Sequence, residues 1–120
     1  MEAGLMLRTA VIVLALTGAG GVLMAIMRFS GRPQPPAWLA MLHGLLAGAG
    51  LTLVLYAAFT AGLPGSAWLG LLLMAGAALG GIVLNLGYHV KGIELPAWLV
   101  LTHGAIAAAG LVIFAIAAWR

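Results

Sequence analysis

Two histidines stand inside apolar runs with no acidic residue nearby in the chain. His43 lies in PAWLAMLHG, residues 36–44, and His103 lies in PAWLVLTHG, residues 96–104. An imidazole held in hydrocarbon is costly, so such a residue faces a bundle interior, a partner group or a water-filled path. Three chemistries are open to the pair. Each ring can hydrogen-bond a neighbouring helix as polar glue. The two can share a ligand site, most plainly as bis-imidazole ligands of a b-type haem held between two helices. They can also serve a proton or substrate site. Small residues occupy the same helix face: Gly44, Ala47 and Gly50 beside the first histidine, Gly104, Ala107 and Gly110 beside the second. They leave room for a flat macrocycle. Equally, they let two helices touch, and Gly44-x-x-x-Gly48 is a close-packing pattern.

Polar residues near the same membrane surface extend these readings. Arg28 and Lys91 are candidate partners for haem carboxylates, since guanidinium and ammonium groups suit them, though such residues also anchor helix ends at headgroups. His89, with Asn85 one turn earlier, is a candidate accessory group: a third ligand, a proton-entry residue or a solvated interfacial histidine. At a spacing of sixty its counterpart is Phe29. A three-ligand zinc site would need His43, His103 and His89 together, and no intramembrane carboxylate backs any of them.

The elements that must position these groups are membrane-spanning helices. Apolar residues make up 65% of the chain and charged ones 6%, whereas a soluble domain carries about 25% charged residues. The composition predicts an integral membrane protein in a lipid bilayer. A span needs roughly 20 mostly apolar residues, and four stretches supply them: about 9–27, 36–61, 67–88 and 96–119. The loop SGRPQP and the turn GLPGS separate the first three, and HVKGIE precedes the fourth. Pro36 suits a first helical turn, where a missing N–H does no harm. Trp38, Trp68, Trp98 and Trp119 fall at span ends, where indoles sit at the interface.

The two histidine phrases belong to a longer repeat. Shifting the chain by sixty aligns residues 36–59 with 96–119 at twelve identities in 24 positions, including Pro36/Pro96, Trp38/Trp98 and His43/His103. Gly20-Gly21 aligns with Gly80-Gly81 upstream. Fixed-offset self-similarity is the signature of a repeated structural unit, here a helical hairpin covering about 1–61 and again about 62–120. Two spans per unit return the chain to its starting side, so the second and fourth spans run parallel. Each histidine lies about 10 Å into its helix at ~1.5 Å per residue. The expected fold is therefore an all-α, four-helix transmembrane bundle of two parallel-related hairpins, one integral membrane domain over 1–120. The repeat also assigns the first span to the mature fold rather than to a cleaved signal peptide.

Several classes are excluded. There is no cysteine, hence no disulfide, thiolate metal site or iron–sulfur cluster. The few charges flank spans, which argues against a nucleic-acid partner. Glu2 and Glu94 are the only acidic residues, so no carboxylate titrates inside a span. In size and helix number the chain looks like a small multidrug-resistance transporter, but its first span lacks a glutamate, which sets that family aside. Ser30 and Ser66 have no acid to complete a triad. The role expected is electron transfer or structural rather than enzymatic.

The intramembrane His43-Gly44 and His103-Gly104 pairs, with four helices, resemble in a general way the four-helix b-type cytochromes of the cytochrome b561 type. That resemblance implies haem b between histidines on different helices and electron exchange with quinones. Those cytochromes often hold two haems, whereas this chain can ligate one. The alternative is a cofactor-free structural or assembly subunit, packing as a homo-oligomer or within a larger membrane complex. Arg28, Arg32 and Lys91 on the histidine side outnumber Arg8 and Arg120 on the other, so the positive-inside rule puts the histidine side in the cytoplasm, in a bacterial inner membrane.

Overall fold

Three prolines and three glycines punctuate this chain. The computed structural model describes residues 2–120, and Met1 lies outside the described residues. It is an all-α four-helix bundle: α1, Ala3–Phe29; α2, Ala37–Thr60; α3, Gly65–Leu84, continued by a π-helical turn, Asn85–His89; and α4, Ala97–Ala118. Pro36, Pro64 and Pro96 stand just before α2, α3 and α4 in extended conformation. A proline there fixes the entry angle, and its carbonyl starts the helix ladder; Pro36 accepts from Leu39 and Ala40 N–H, Pro96 from Leu99 and Val100. Gly31, Gly62 and Gly92 follow the other ends with φ of 100°, 82° and 70°, left-handed values that suit glycine and end a helix cleanly.

All four helices are long and apolar enough to cross a bilayer, and the bundle measures 43 × 21 × 20 Å against a hydrocarbon core of about 30 Å. This is an integral membrane protein. Its outer surface carries Leu, Ile, Val, Phe and Trp residues, with Trp38 and Trp98 about two-thirds exposed, as a lipid-facing surface requires. The helices run somewhat differently from the apolar spans. The largest difference is α1, which starts at Ala3 rather than near residue 9. Arg8 does not end the helix, because its Nε donates to the carbonyl of Ala118 at 2.9 Å and its guanidinium lies over the Trp119 ring. The charge marks the edge of hydrocarbon, not the end of the helix.

Packing is concentrated at one end. The largest fully buried side chains are Met6, Leu7, Val54 and Phe114, from the start of α1 and the ends of α2 and α4. Small residues let the helices approach there: a Cβ on Gly50 would stand 2.6 Å from Leu14, and one on Gly70 would stand 2.8 Å from Phe114. Helix α1 packs closely on α2, α3 on α4, and α1 also on α4, whereas α2 and α3 barely meet. At the histidine end the bundle is consequently open on the α2–α3 side.

Gly50→Ala should destabilise the protein by about 1–3 kcal/mol, the usual cost of overpacking, in denaturant unfolding in micelles. Gly48→Ala, with nothing within 4 Å of the added carbon, should be neutral or stabilising by about 0.5–1 kcal/mol through helix propensity. Equal behaviour of the two variants would mean that Gly50 is not a packing contact.

Candidate functional site: a paired imidazole slot

A backbone carbonyl in a helix has two lone pairs and spends one on the N–H four residues on. In α1 the Thr17 carbonyl has its second lone pair taken by His43, whose Nδ1 lies 2.8 Å away. In α3 the Ala77 carbonyl is met by His103 Nδ1 at 2.7 Å. A carbonyl only accepts, so each imidazole carries its proton on Nδ1 and, when neutral, keeps a lone pair on Nε2. The residue whose own N–H points at the same carbonyl is Gly21 in α1 and Gly81 in α3, and the imidazoles lie against them. A Cβ at Gly21 would stand 2.9 Å from His43 Cε1, and one at Gly81 would stand 3.1 Å from His103 Cε1. The glycines are seats for the rings.

These two anchorages bring His43 and His103 together. Their ring centroids are 6.1 Å apart with the planes at 69°. Gln34 Oε1 is the one enclosed, unpartnered side-chain polar atom among the described residues. Neither histidine Nε2 has a hydrogen-bond partner there, so both border accessible space. That space is a slot across the bundle. On one side of the pair a cavity of about 410 Å³ runs between α1 and α4, past Gly18, Gly104 and Ala108. On the other side a cavity of about 930 Å³ runs between α2 and α3 and opens between Met41, Leu45, Ile82 and Leu86. His43, His103, Gly21, Ala25, Ala47 and Leu51 line both, so the cavities meet at the imidazoles.

The structure gathers some of the candidate residues and separates others. Ala47 and Ala107 line the slot, Gly44 lies on its larger part and Gly104 on its smaller part. Gly50 and Gly110 do not: Gly50 packs on Leu14, and Gly110 packs on Met74 and the Gly70 carbonyl. Both are helix contacts at the dense end. Arg28 borders the larger cavity, but its Nε donates to the Leu95 carbonyl at 2.9 Å and its Nη2 pairs with Glu94 at 2.7 Å. Lys91 is exposed in the loop and lines neither cavity.

His89 and Asn85 also border the larger cavity. His89 Nε2 donates to the Pro35 carbonyl at 2.9 Å, and Asn85 Nδ2 lies 3.5 Å from His89 Nδ1. No three metal-ligating side chains come together among the described residues, so His89 does not join the other two. Its structural counterpart is Arg28 rather than Phe29. Gly31 N–H bonds Arg28 O and Arg32 N–H bonds Met27 O; Gly92 N–H bonds His89 O and Ile93 N–H bonds Tyr88 O. The spacing at these helix ends is sixty-one, and the π-helical turn accommodates the extra residue. Arg28 then reaches the residue before Pro96, and His89 reaches the residue before Pro36.

Sequence reasoning did not find the Thr17 and Ala77 carbonyls or the role of Gly21 and Gly81. The signal was the matched Gly-Gly pair upstream of the histidines. Comparison with protein-family models, curated proteins and solved structures gives no match for this chain.

Nitrogen-15 NMR of ring-labelled protein should find both His43 and His103 protonated on Nδ1 and not on Nε2. His43→Ala should cost about 0.6 kcal/mol, the average for hydrogen bonds between membrane helices. An Nε2–H tautomer at either site would mean that the carbonyl contact is not a hydrogen bond.

Proposed function

We propose that this protein is a small b-type cytochrome-like electron carrier in which His43 and His103 ligate one haem between α2 and α4. The observation that carries this reading is the pair of imidazoles whose Nδ1 protons are committed to Thr17 and Ala77 while both Nε2 lone pairs stay free, 6.1 Å centre to centre. A ligating histidine generally donates its other ring N–H to a carbonyl or carboxylate, which fixes tautomer and orientation. Two imidazoles on opposite sides of one metal, with bonds of ~2.0 Å and ~1.1 Å more to each ring centre, have centroids roughly 6 Å apart. The 69° between the planes is compatible, since ligation by two imidazoles sets no angle between their planes. The lining is mostly apolar and small, and the two cavities, about 410 and 930 Å³, each fall within the usual range of about 300–1,000 Å³ for ligand pockets.

Bound there, the haem would supply one-electron chemistry. The chain's own contribution is to hold two ligands at fixed separation, keep their protons on the outer nitrogens, and exclude water with Leu14, Leu51, Met74 and Leu111. The location proposed is a bacterial inner membrane with the histidine side in the cytoplasm. Arg28, Arg32 and Lys91 against Arg8 and Arg120 support that orientation.

One observation favours a second reading. Each Nδ1–H bond joins the two helices of one hairpin, α1 to α2 and α3 to α4, which is also what polar glue between spans does. On this reading the protein is a cofactor-free structural or assembly subunit, packing with itself or within a larger membrane complex.

An absorption spectrum of protein purified from haem-replete cells separates the two. The haem reading expects a Soret band and sharp α and β bands on reduction, with both lost in His43→Ala and in His103→Ala. A featureless spectrum from folded protein supplied with haem would sink it and leave the imidazoles as packing groups.

A further inference from the structure

The slot has two unlike ends. Toward α1 and α4 its lining beyond the two imidazoles is Ala, Gly, Val, Leu and Met, apart from Thr17, whose hydroxyl is spent on the Val13 carbonyl. Toward α2 and α3 it is bordered by Arg28, Asn85 and His89. A haem b macrocycle is equally lopsided, with two carboxylate arms on one edge and apolar substituents opposite. An ionised carboxylate left in hydrocarbon is heavily penalised unless it is paired or hydrogen-bonded, so only one end of this slot suits that edge.

Resting on the haem reading of the His43–His103 slot, we propose that the carboxylate edge is received on the α3 side, by the Asn85 side-chain amide with the Arg28 guanidinium, and that His89 positions Asn85. The level of the imidazoles on α3 is marked by Gly81, the seat of His103. Asn85 follows four residues on, on the same face and about 6 Å nearer the membrane surface. The matching residue on α1, four past Gly21, is Ala25, which has nothing to donate. The amide of the polar end therefore comes from α3, and Arg28 joins it from the end of α1.

The hydrogen-bonding roles are consistent. His89 Nε2 gives its proton to Pro35, which leaves Nδ1 as the acceptor facing Asn85 Nδ2. That contact turns the amide so that its NH2 lies toward His89 and the larger cavity, with one N–H left over for a ligand. Arg28 has given Nε to Leu95 and Nη2 to Glu94, and its Nη1 remains. Lys91 lies outside both cavities and is not a partner.

The test uses the full chain, stripped of haem and reconstituted in nanodiscs with either protohaem or its dimethyl ester, whose carboxylates are masked. Affinity is read from the shift of the Soret band relative to protein-free nanodiscs. In the wild type the ester should bind more weakly than the acid, on the order of tenfold for loss of charge-assisted hydrogen bonds. Asn85→Leu should lower that ratio several-fold, with Arg28 holding the remainder, and Asn85→Leu combined with Arg28→Gln should bring it close to one. Asn85→Gln should restore part of it, and Lys91→Gln should leave it unchanged. Should Asn85→Leu not fold, Asn85→Ala serves in its place. Equal binding of acid and ester by the wild type, or a ratio that survives at Asn85 and is lost at Lys91, would overturn the proposal with the haem reading intact. A protein that gives neither compound a Soret shift or sharp reduced α and β bands beyond those in protein-free nanodiscs would overturn both.

Discussion

Two hydrogen bonds from imidazole to helix carbonyl, His43 to Thr17 and His103 to Ala77, constrain the histidine half of this bundle more than any other contact. A carbonyl inside a helix is already shielded by the turn that follows it, so a ring can reach it only where that turn lacks a side chain. That is why the residue four positions later is glycine in both helices. Glycine at those positions weakens the helix locally, which is tolerable in a membrane, where every backbone group must be satisfied within the helix and unfolding of a turn is costly. Once each Nδ1 is fixed, the rings cannot turn to satisfy Nε2 elsewhere in the same hairpin. The two free nitrogens are left facing the accessible interior.

The loops on the same side obey a second reciprocal constraint. Arg28 at the end of α1 bonds the Leu95 carbonyl just before α4, and His89 at the end of α3 bonds the Pro35 carbonyl just before α2. Both carbonyls lie on buried residues that precede a proline, and a buried carbonyl needs a donor. In each case the donor comes from the other hairpin. Arginine and histidine differ in length, and the π-helical turn Asn85–His89 adds the residue that brings the shorter donor into register. π-Bulges recur at functional sites, and this one lies on the wall of the larger cavity.

Much of this was legible in the sequence. Hydropathy and the prolines located four spans, because hydrocarbon thickness and missing N–H groups act on every residue alike. The repeat paired His43 with His103, since identical local sequence builds identical helices. What escaped was relational. Gly50 and Gly110 share a face with the histidines in sequence, yet pack against Leu14 and Met74, because a step of seven residues carries that face about 10 Å further along the same neighbouring helix, past the slot and into the dense end. Arg28 was legible as a cation near the site but not as the partner of Glu94, which lies far along the chain. The pairing of His89 with Arg28 required the π-helical turn, and no residue type announces an extra residue in a helix.

The distribution of packing makes the slot physically sustainable. Met6, Leu7, Val54 and Phe114 close the bundle at the end away from the histidines, where the chain termini and the GLPGS turn also meet, and Arg8 ties α1 to the last carbonyls of α4. With helices held there, α2 and α3 can diverge toward the other surface without unpairing any backbone group. In water such a cleft would expose apolar surface and collapse. In a bilayer the surrounding acyl chains are as apolar as the walls, so the driving force for closing it is weak, and van der Waals packing and hydrogen bonds decide which helices meet. The two closest pairs, α1–α2 and α3–α4, are those that share an imidazole bond and glycine contacts, α1–α4 is tied by Arg8, and α2–α3 has none of these. The opening is thus placed by the absence of small-residue and hydrogen-bonded contacts between those two helices, on the side where the larger cavity and its polar border lie.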